Sequence, residues 1–181
     1  MSTMTHSAYR ALPSPIGRIR IGACCTPTGP AISEVRFCRT AVAMRPVRPA
    51  LARLLDEAEA QFQAYLEGST EGFRLPLVRE GTCLQMRVWN EVLRIPRGRT
   101  IACADLAERI GATQDAVAKA CAANPIAIVI PTHRVLPPPS FGRRIVLAET
   151  TQFLLELEGA ELPTATGARV ASGVGAERAA A

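Results

Sequence analysis

Lysine is almost missing from this chain: among its 21 basic residues Lys119 is the only one, and the rest are arginine. Histidine is nearly as scarce, with His6 and His133 alone, and aromatic residues make up only 4% of the sequence. Two histidines and the adjacent pair Cys24-Cys25 are too few and too scattered for a zinc site, so neither a metal nor a cofactor is expected. No N-terminal stretch has the apolar centre of a signal peptide, and the six cysteines (Cys24, Cys25, Cys38, Cys83, Cys103, Cys121) are irregularly spaced. Both features point to a reduced, cytoplasmic setting and away from a disulfide framework. Long apolar runs are lacking too. Ile126 to Ile130 falls far short of the roughly 20 residues that cross a bilayer, so no membrane association is expected.

What remains is a globular composition. A chain of 181 residues with 48% hydrophobic content can bury a real core as one domain or two small ones. The net charge of +5 and pI near 9.2 favour an anionic partner. An arginine-for-lysine skew also follows from GC-rich coding, so charge alone leaves nucleic-acid binding open.

Patterning divides the chain. Residues Met1 to Pro15 read as a loose lead-in. Gly17 to Ala23 and Ile32 to Phe37 alternate polar and apolar residues about a Pro/Gly turn, which predicts two antiparallel strands. Leu51, Leu54, Leu55, Ala58, Phe62, Tyr65 and Leu66 have helical spacing and Gly68 supplies a stop. Phe73 to Leu77 suits a short strand or an extended connection. A second module opens on Thr82 as N-cap, with a helix to about Arg94 and a turn over Ile95 to Arg99. Helices Ala104 to Ile110 and Gln114 to Ala123, joined at Gly111-Ala112-Thr113, have the shape of a helix-turn-helix. The second is rich in small residues. It suits either close packing in a core or a slim recognition helix on which Lys119 meets a phosphate. A last helix spans about Val146 to Glu158. The expected fold class is therefore α+β, with a small N-terminal α/β module over residues 1–80, a mainly helical domain over 81–160, and a disordered tail over 161–181.

The stretch Asn124 to Val135 gathers the chemistry. Its apolar part, Ile126 to Ile130, is closed by Pro125 and Pro131 and is expected to be buried and extended. At its end Thr132, His133 and Arg134 stand side by side.

Trp89, Ile95-Pro96-x-Gly98-x-Thr100, Cys121-Ala122-Ala123-Asn124-Pro125, Ile130-Pro131-x-His133-Arg134-Val135 and Leu154-Leu155-x-x-Glu158-Gly159 resemble the O6-alkylguanine-DNA alkyltransferases. Upstream, Ser14-Pro15-Ile16-Gly17, Val35-Arg36-Phe37 and Tyr65-Leu66-x-Gly68 resemble the same family, so the likeness covers nearly all of residues 14 to 160. The resemblance implies a protein that flips a guanine from double-stranded DNA and moves the alkyl group from its O6 to a cysteine in one irreversible turnover. It assigns His133 as the group that takes the thiol proton, Glu158 as its orienting partner and Asn124 as the hinge. The acceptor position is Thr132. The family's phosphate-rotating Tyr falls at Cys103 and its stack-filling Arg at Asp115, while the pocket loop becomes Pro137 to Arg144.

A hydroxyl is a far weaker nucleophile toward an alkyl carbon than a thiolate, and alkyl transfer develops no oxyanion for a protein to stabilise. The expected function is DNA binding, with alkylated guanine as the lesion, without efficient transfer. Relatives of this kind hand the lesion to excision-repair proteins, and a monomer is expected. Lys119, Arg134, Cys103 and Asp115 are the candidate DNA-facing positions. Two alternatives stay open: active transfer, with Cys121 or a Cys103 activated at a helix N-terminus as acceptor, and a repurposed interaction protein without DNA affinity. His133, Arg134 and Glu158 also admit a purely structural reading.

Overall fold

A computed structural model describes residues 8–38, 47–137 and 148–160. Three antiparallel strands come first: β1 (Ala8–Ser14), β2 (Gly17–Thr26) and β3 (Gly29–Cys38), in the order β1-β2-β3. The strand β1 replaces the expected loose lead-in over its span. Ala8 and Leu12 bury their side chains on one face, pairing with Ala23 and Ile19, and this burial prevails over the nearby prolines. Pro13 sits on the edge strand, where a missing N–H is tolerated.

Helix α1 (Pro49–Leu66) lies on the sheet and buries Leu51, Leu54, Leu55, Ala58, Phe62 and Tyr65, the face its spacing predicts. Helix α2 (Cys83–Val92) begins at Thr82 with a full capping box: Thr82 Oγ1 accepts from the Gln85 amide, and Gln85 Oε1 accepts from the Thr82 amide. There follow β4 (Ile101–Ala102), α3 (Cys103–Ile110), α4 (Gln114–Ala122), a 3-10 turn at Thr132–Arg134, β5 (Val135–Leu136) and α5 (Glu149–Leu157). The architecture is α+β, as expected. Gly111, in the left-handed region at φ 62°, ends α3 and lets the chain turn into α4. Val117 and Ala120 pack inward, and Trp89 donates its indole N–H to the Ala120 carbonyl at 2.9 Å. A larger side chain at 120 would push the two helices apart, so one face of the small-residue helix is core. Its other face is exposed.

The expected extended run Ile126 to Ile130 is buried but not extended. Ile126 bridges the edge of β3, with Val35 N–H on the Pro125 carbonyl at 2.8 Å and Ala127 N–H on the Val35 carbonyl at 3.1 Å. The chain then folds back, so that Ile130 N–H returns to the Ile126 carbonyl at 3.0 Å. This pins the Thr132–Arg134 turn to the sheet edge. The expected pocket loop after Pro137, the start of the last helix before Ala148, and the tail over 161–181 lie outside the described residues. Among the described residues no helix is long and apolar enough to cross a membrane.

Candidate functional site

Asn124 builds the floor of the site. Its Oδ1 accepts from the Ile126 amide at 2.9 Å, and its Nδ2 donates to the Ile130 carbonyl at 2.9 Å and to Thr132 Oγ1 at 3.2 Å. One side chain thereby ties both ends of the Ile126 to Ile130 fold and reaches the residue that follows it. Between these ties Ile128 adopts φ 71°, while Val129 N–H bonds the Ala127 carbonyl across it at 2.9 Å. A β-branched residue at positive φ is strained, by about 1–3 kcal/mol, and persists only where its surroundings dictate it. Here the Asn124 ties and the burial of Ile128 do so. At Pro131, φ −82° and ψ 61° with Thr132 N–H on the Ile130 carbonyl at 2.8 Å make an inverse γ-turn. Thr132 and His133 leave it in a fixed direction.

Replacing Asn124 by alanine removes all three bonds and is expected to lower stability by about 2–3 kcal/mol. Asn124→Asp is expected to do no better, because a carboxylate would face the Ile130 carbonyl with no proton to give. Denaturant melts of both variants check this. A loss under ~0.5 kcal/mol would mean that apolar packing alone holds the turn.

Behind the turn lies Glu158, the C-cap of α5. A carboxylate at a helix C-terminus opposes the helix dipole and requires cations from elsewhere. Arg134 supplies one, with Nε on Oε2 and Nη2 on Oε1, each at 2.8 Å, and its Nη1 donates to the Ile95 carbonyl at 2.6 Å. His133 Nε2 meets Oε1 at 2.9 Å, and the Tyr65 hydroxyl donates to the same oxygen at 2.8 Å. Arg97 lies over the Tyr65 ring at 5.0 Å and donates to the Leu157 carbonyl at 3.0 Å. Gly98 permits this approach: it has φ 73°, and a Cβ on it would crowd the Glu158 backbone carbonyl at 3.0 Å.

Burial on its own would raise the Glu158 carboxyl, but the hydrogen bonds from His133 and Arg134 outweigh it and hold the group well below the usual carboxylate range. Burial, then the Glu158 charge, pushes the Tyr65 phenol up, so it stays a donor. An ionised Glu158 can only accept. His133 therefore presents Nε2–H to it, which leaves Nδ1 as the nitrogen able to take a proton when the ring is neutral.

His133 and Thr132 line a cavity of about 340 Å³ with Phe37, Ile128, Val135 and Leu154 among its apolar walls. Cys121 lines it as well, and burial followed by the nearby Cys103 pushes that thiol up to about 12.

The structure brings Asn124, Thr132, His133 and Glu158 together as one site. Of the four expected DNA-facing positions, Arg134 and Cys103 are turned inward, and Asp115 and Lys119 are exposed. Arg134 points inward, clamped on Glu158 and Ile95. Cys103 is buried on α3 with its Sγ 3.5 Å from the Gln114 carbonyl. Burial raises its pKa, so the lowering expected from a helix N-terminus is overridden. Asp115 and Lys119 are exposed on α4 and paired with each other at 2.7 Å, and the hydrogen bond that Lys119 donates to Asp115 raises its ammonium pKa. Sequence reasoning missed Tyr65 and Arg97 as members of the site. Among the described residues no three His, Cys, Asp or Glu side chains gather as a metal site.

Residues 83–160 match the family model described as 6-O-methylguanine DNA methyltransferase, DNA binding domain. A methylated-DNA–protein-cysteine methyltransferase of Haemophilus influenzae is 32% identical over 164 residues, which span 86% of this chain and 88% of that protein. One from Methanosarcina acetivorans is 39% identical over 108 residues, covering 57% of this chain and 68% of the relative. Among solved structures, the Mycobacterium tuberculosis O6-methylguanine methyltransferase superposes with a TM-score of 0.66 at 30% identity, over 86% of this chain and 94% of that one. A structure of the Mycobacterium tuberculosis protein in complex with DNA aligns with the same TM-score and identity, over 83% and 92%.

Proposed function

The chain belongs to the 6-O-methylguanine-DNA methyltransferase family, and from that premise we propose that it binds DNA at an O6-alkylated guanine without efficiently taking the alkyl group. The observation that carries the reading is Thr132 on the wall of the cavity, its Oγ1 accepting from Asn124 and its neighbour His133 tied to Glu158. The apparatus that holds a reactive side chain is retained, while the side chain is an alcohol.

A neutral imidazole leaves almost none of an alcohol as alkoxide at pH 7, and displacement at an alkyl carbon offers no oxyanion for the site to stabilise. Cys121 shares the cavity, but burial holds it as the thiol. The apolar walls suit a base and its alkyl group. A protein that grips the lesion without removing it fits a role ahead of excision repair, with excision proteins as its partners.

The test is incubation with an oligonucleotide that carries O6-methylguanine with a labelled methyl group, followed by intact-protein mass spectrometry. The expected result is no methylated protein, with the alkylated oligonucleotide retained more tightly than the unmodified one. Stoichiometric methylation mapped to Thr132 or Cys121 would overturn the proposal.

A further inference from the structure

The cavity and the helix beside it tell different stories. A base that leaves a duplex has to be extruded against stacking and pairing, at a cost of a few kcal/mol. Proteins that pry bases or base steps apart insert a large side chain into the stack and hold the flanking phosphates with cations or a helix N-terminus. Helix α4, whose Cys121 and Ala122 line the cavity, offers neither. Its exposed side chains toward that end are Ala118, Ala122 and Ala123, too small to fill a vacated stack. At its N-terminus the dipole is already met by Asp115 in the first turn, and the one cation on the helix, the exposed Lys119, pairs with the same Asp115 at 2.7 Å. Helix α3 adds exposed Asp105 and Glu108 against a single Arg109. A duplex backbone laid on this face meets repulsion, and among the described residues of α3 and α4 no large side chain stands ready to pry its base loose.

The cavity is largely apolar, with Thr132, His133, Thr150 and Thr151 as its polar side chains, His133 being fixed by a buried carboxylate. A site that can hold a base next to a surface that cannot extrude one suits a base that arrives already outside a helix.

We propose that the cavity takes O6-alkylated guanine presented on single-stranded DNA, in preference to the same base within a duplex. The inference rests on the reading given under the proposed function and specifies the form of DNA that reaches the site. A single strand carries no pairing to break and can bend its backbone away from Asp105, Glu108 and Asp115.

Fluorescence anisotropy with three probes tests it: a labelled single strand carrying one O6-methylguanine, that strand annealed to its complement, and the unmodified single strand. The alkylated single strand is expected to bind at least about tenfold tighter than its duplex, the ratio that follows from an unpaid extrusion of a few kcal/mol. Asp115→Arg, which offers a wedge and a cation at once, is expected to narrow that ratio by raising duplex affinity more than single-strand affinity. Equal or tighter binding of the alkylated duplex by the unaltered protein would overturn this inference and leave the proposed function standing. Equal binding of the alkylated and unmodified single strands would overturn the lesion-binding reading itself, and the inference with it.

Discussion

Replacement of Glu158 by alanine is expected to remove about 3–5 kcal/mol of folding stability, the usual loss when one partner of a buried ion pair is deleted. The size follows from what the carboxylate leaves behind. Arg134 is only 13% exposed at its side chain, and without Glu158 two of its nitrogens face an apolar interior. His133 loses the acceptor for Nε2–H, and the buried Tyr65 hydroxyl loses its acceptor as well. Glu158→Gln keeps the shape but has only one carbonyl oxygen for four donors, so it is expected to lose most of the same amount.

The pH dependence provides a separate check. Because the folded carboxyl is held below its ordinary value of 4.5, its contribution is fully present above about that pH and is lost as pH falls toward the lower folded value. Below 4.5 the unfolded chain binds a proton that the folded chain does not. Denaturant melts from pH 7 down to pH 3 should show the wild type losing stability faster than Glu158→Ala, so that the two curves converge in acid. Parallel curves would mean that the group is not depressed. A loss near 1 kcal/mol at pH 7 would mean that water replaces the carboxylate and that the network is ornamental to folding.

This network marks the boundary of what could be read from residues alone. Asn124, Thr132 and His133 fall within one short stretch, so their association needed only local spacing, and the family resemblance supplied Glu158. Tyr65 offered no such clue. It has the helical spacing of a core residue, and its hydroxyl finds Glu158 93 positions away, a pairing fixed by how α1 and α5 meet across the fold. Ile128 misled for a related reason. A β-branched residue between apolar neighbours predicts extended backbone, yet the ties from Asn124 impose a reversal that no propensity scale contains. The expectation of a lowered pKa at Cys103 drew on position in a helix and omitted burial, which dominates. Arg134 admitted both a DNA-facing and a purely structural reading. Its use inside follows from Glu158 needing a counter-charge where no solvent reaches.

Thr132→Cys is expected to convert a silent protein into a slow methyl acceptor, with single-turnover transfer from O6-methylguanine rising by several orders of magnitude from background. The chief reason is acidity. A thiol near pKa 8.5 is far more acidic than an aliphatic hydroxyl, so the same imidazole yields far more nucleophile. The surroundings already favour the anion. Asn124 Nδ2, now 3.2 Å from Oγ1, would donate to a thiolate, and His133 has Nδ1 to take the proton while Glu158 steadies the resulting imidazolium through Nε2. Loss of the threonine methyl also opens the approach of the alkyl carbon.

Delivery is what stays slow. With Asp115 and small alanines on the exposed face of α4, transfer from a duplex is expected to lag transfer from a single strand by about tenfold or more, the share set by extrusion. Rapid-quench mass spectrometry on both substrates measures the two rates, and His133→Ala added to Thr132→Cys should abolish the gain in transfer. A folded Thr132→Cys protein that binds this strand and still takes no methyl group would show that the cavity holds the alkyl carbon away from residue 132. Equal rates on the two substrates would locate the barrier in the chemistry at the sulfur and not in bringing the base to it.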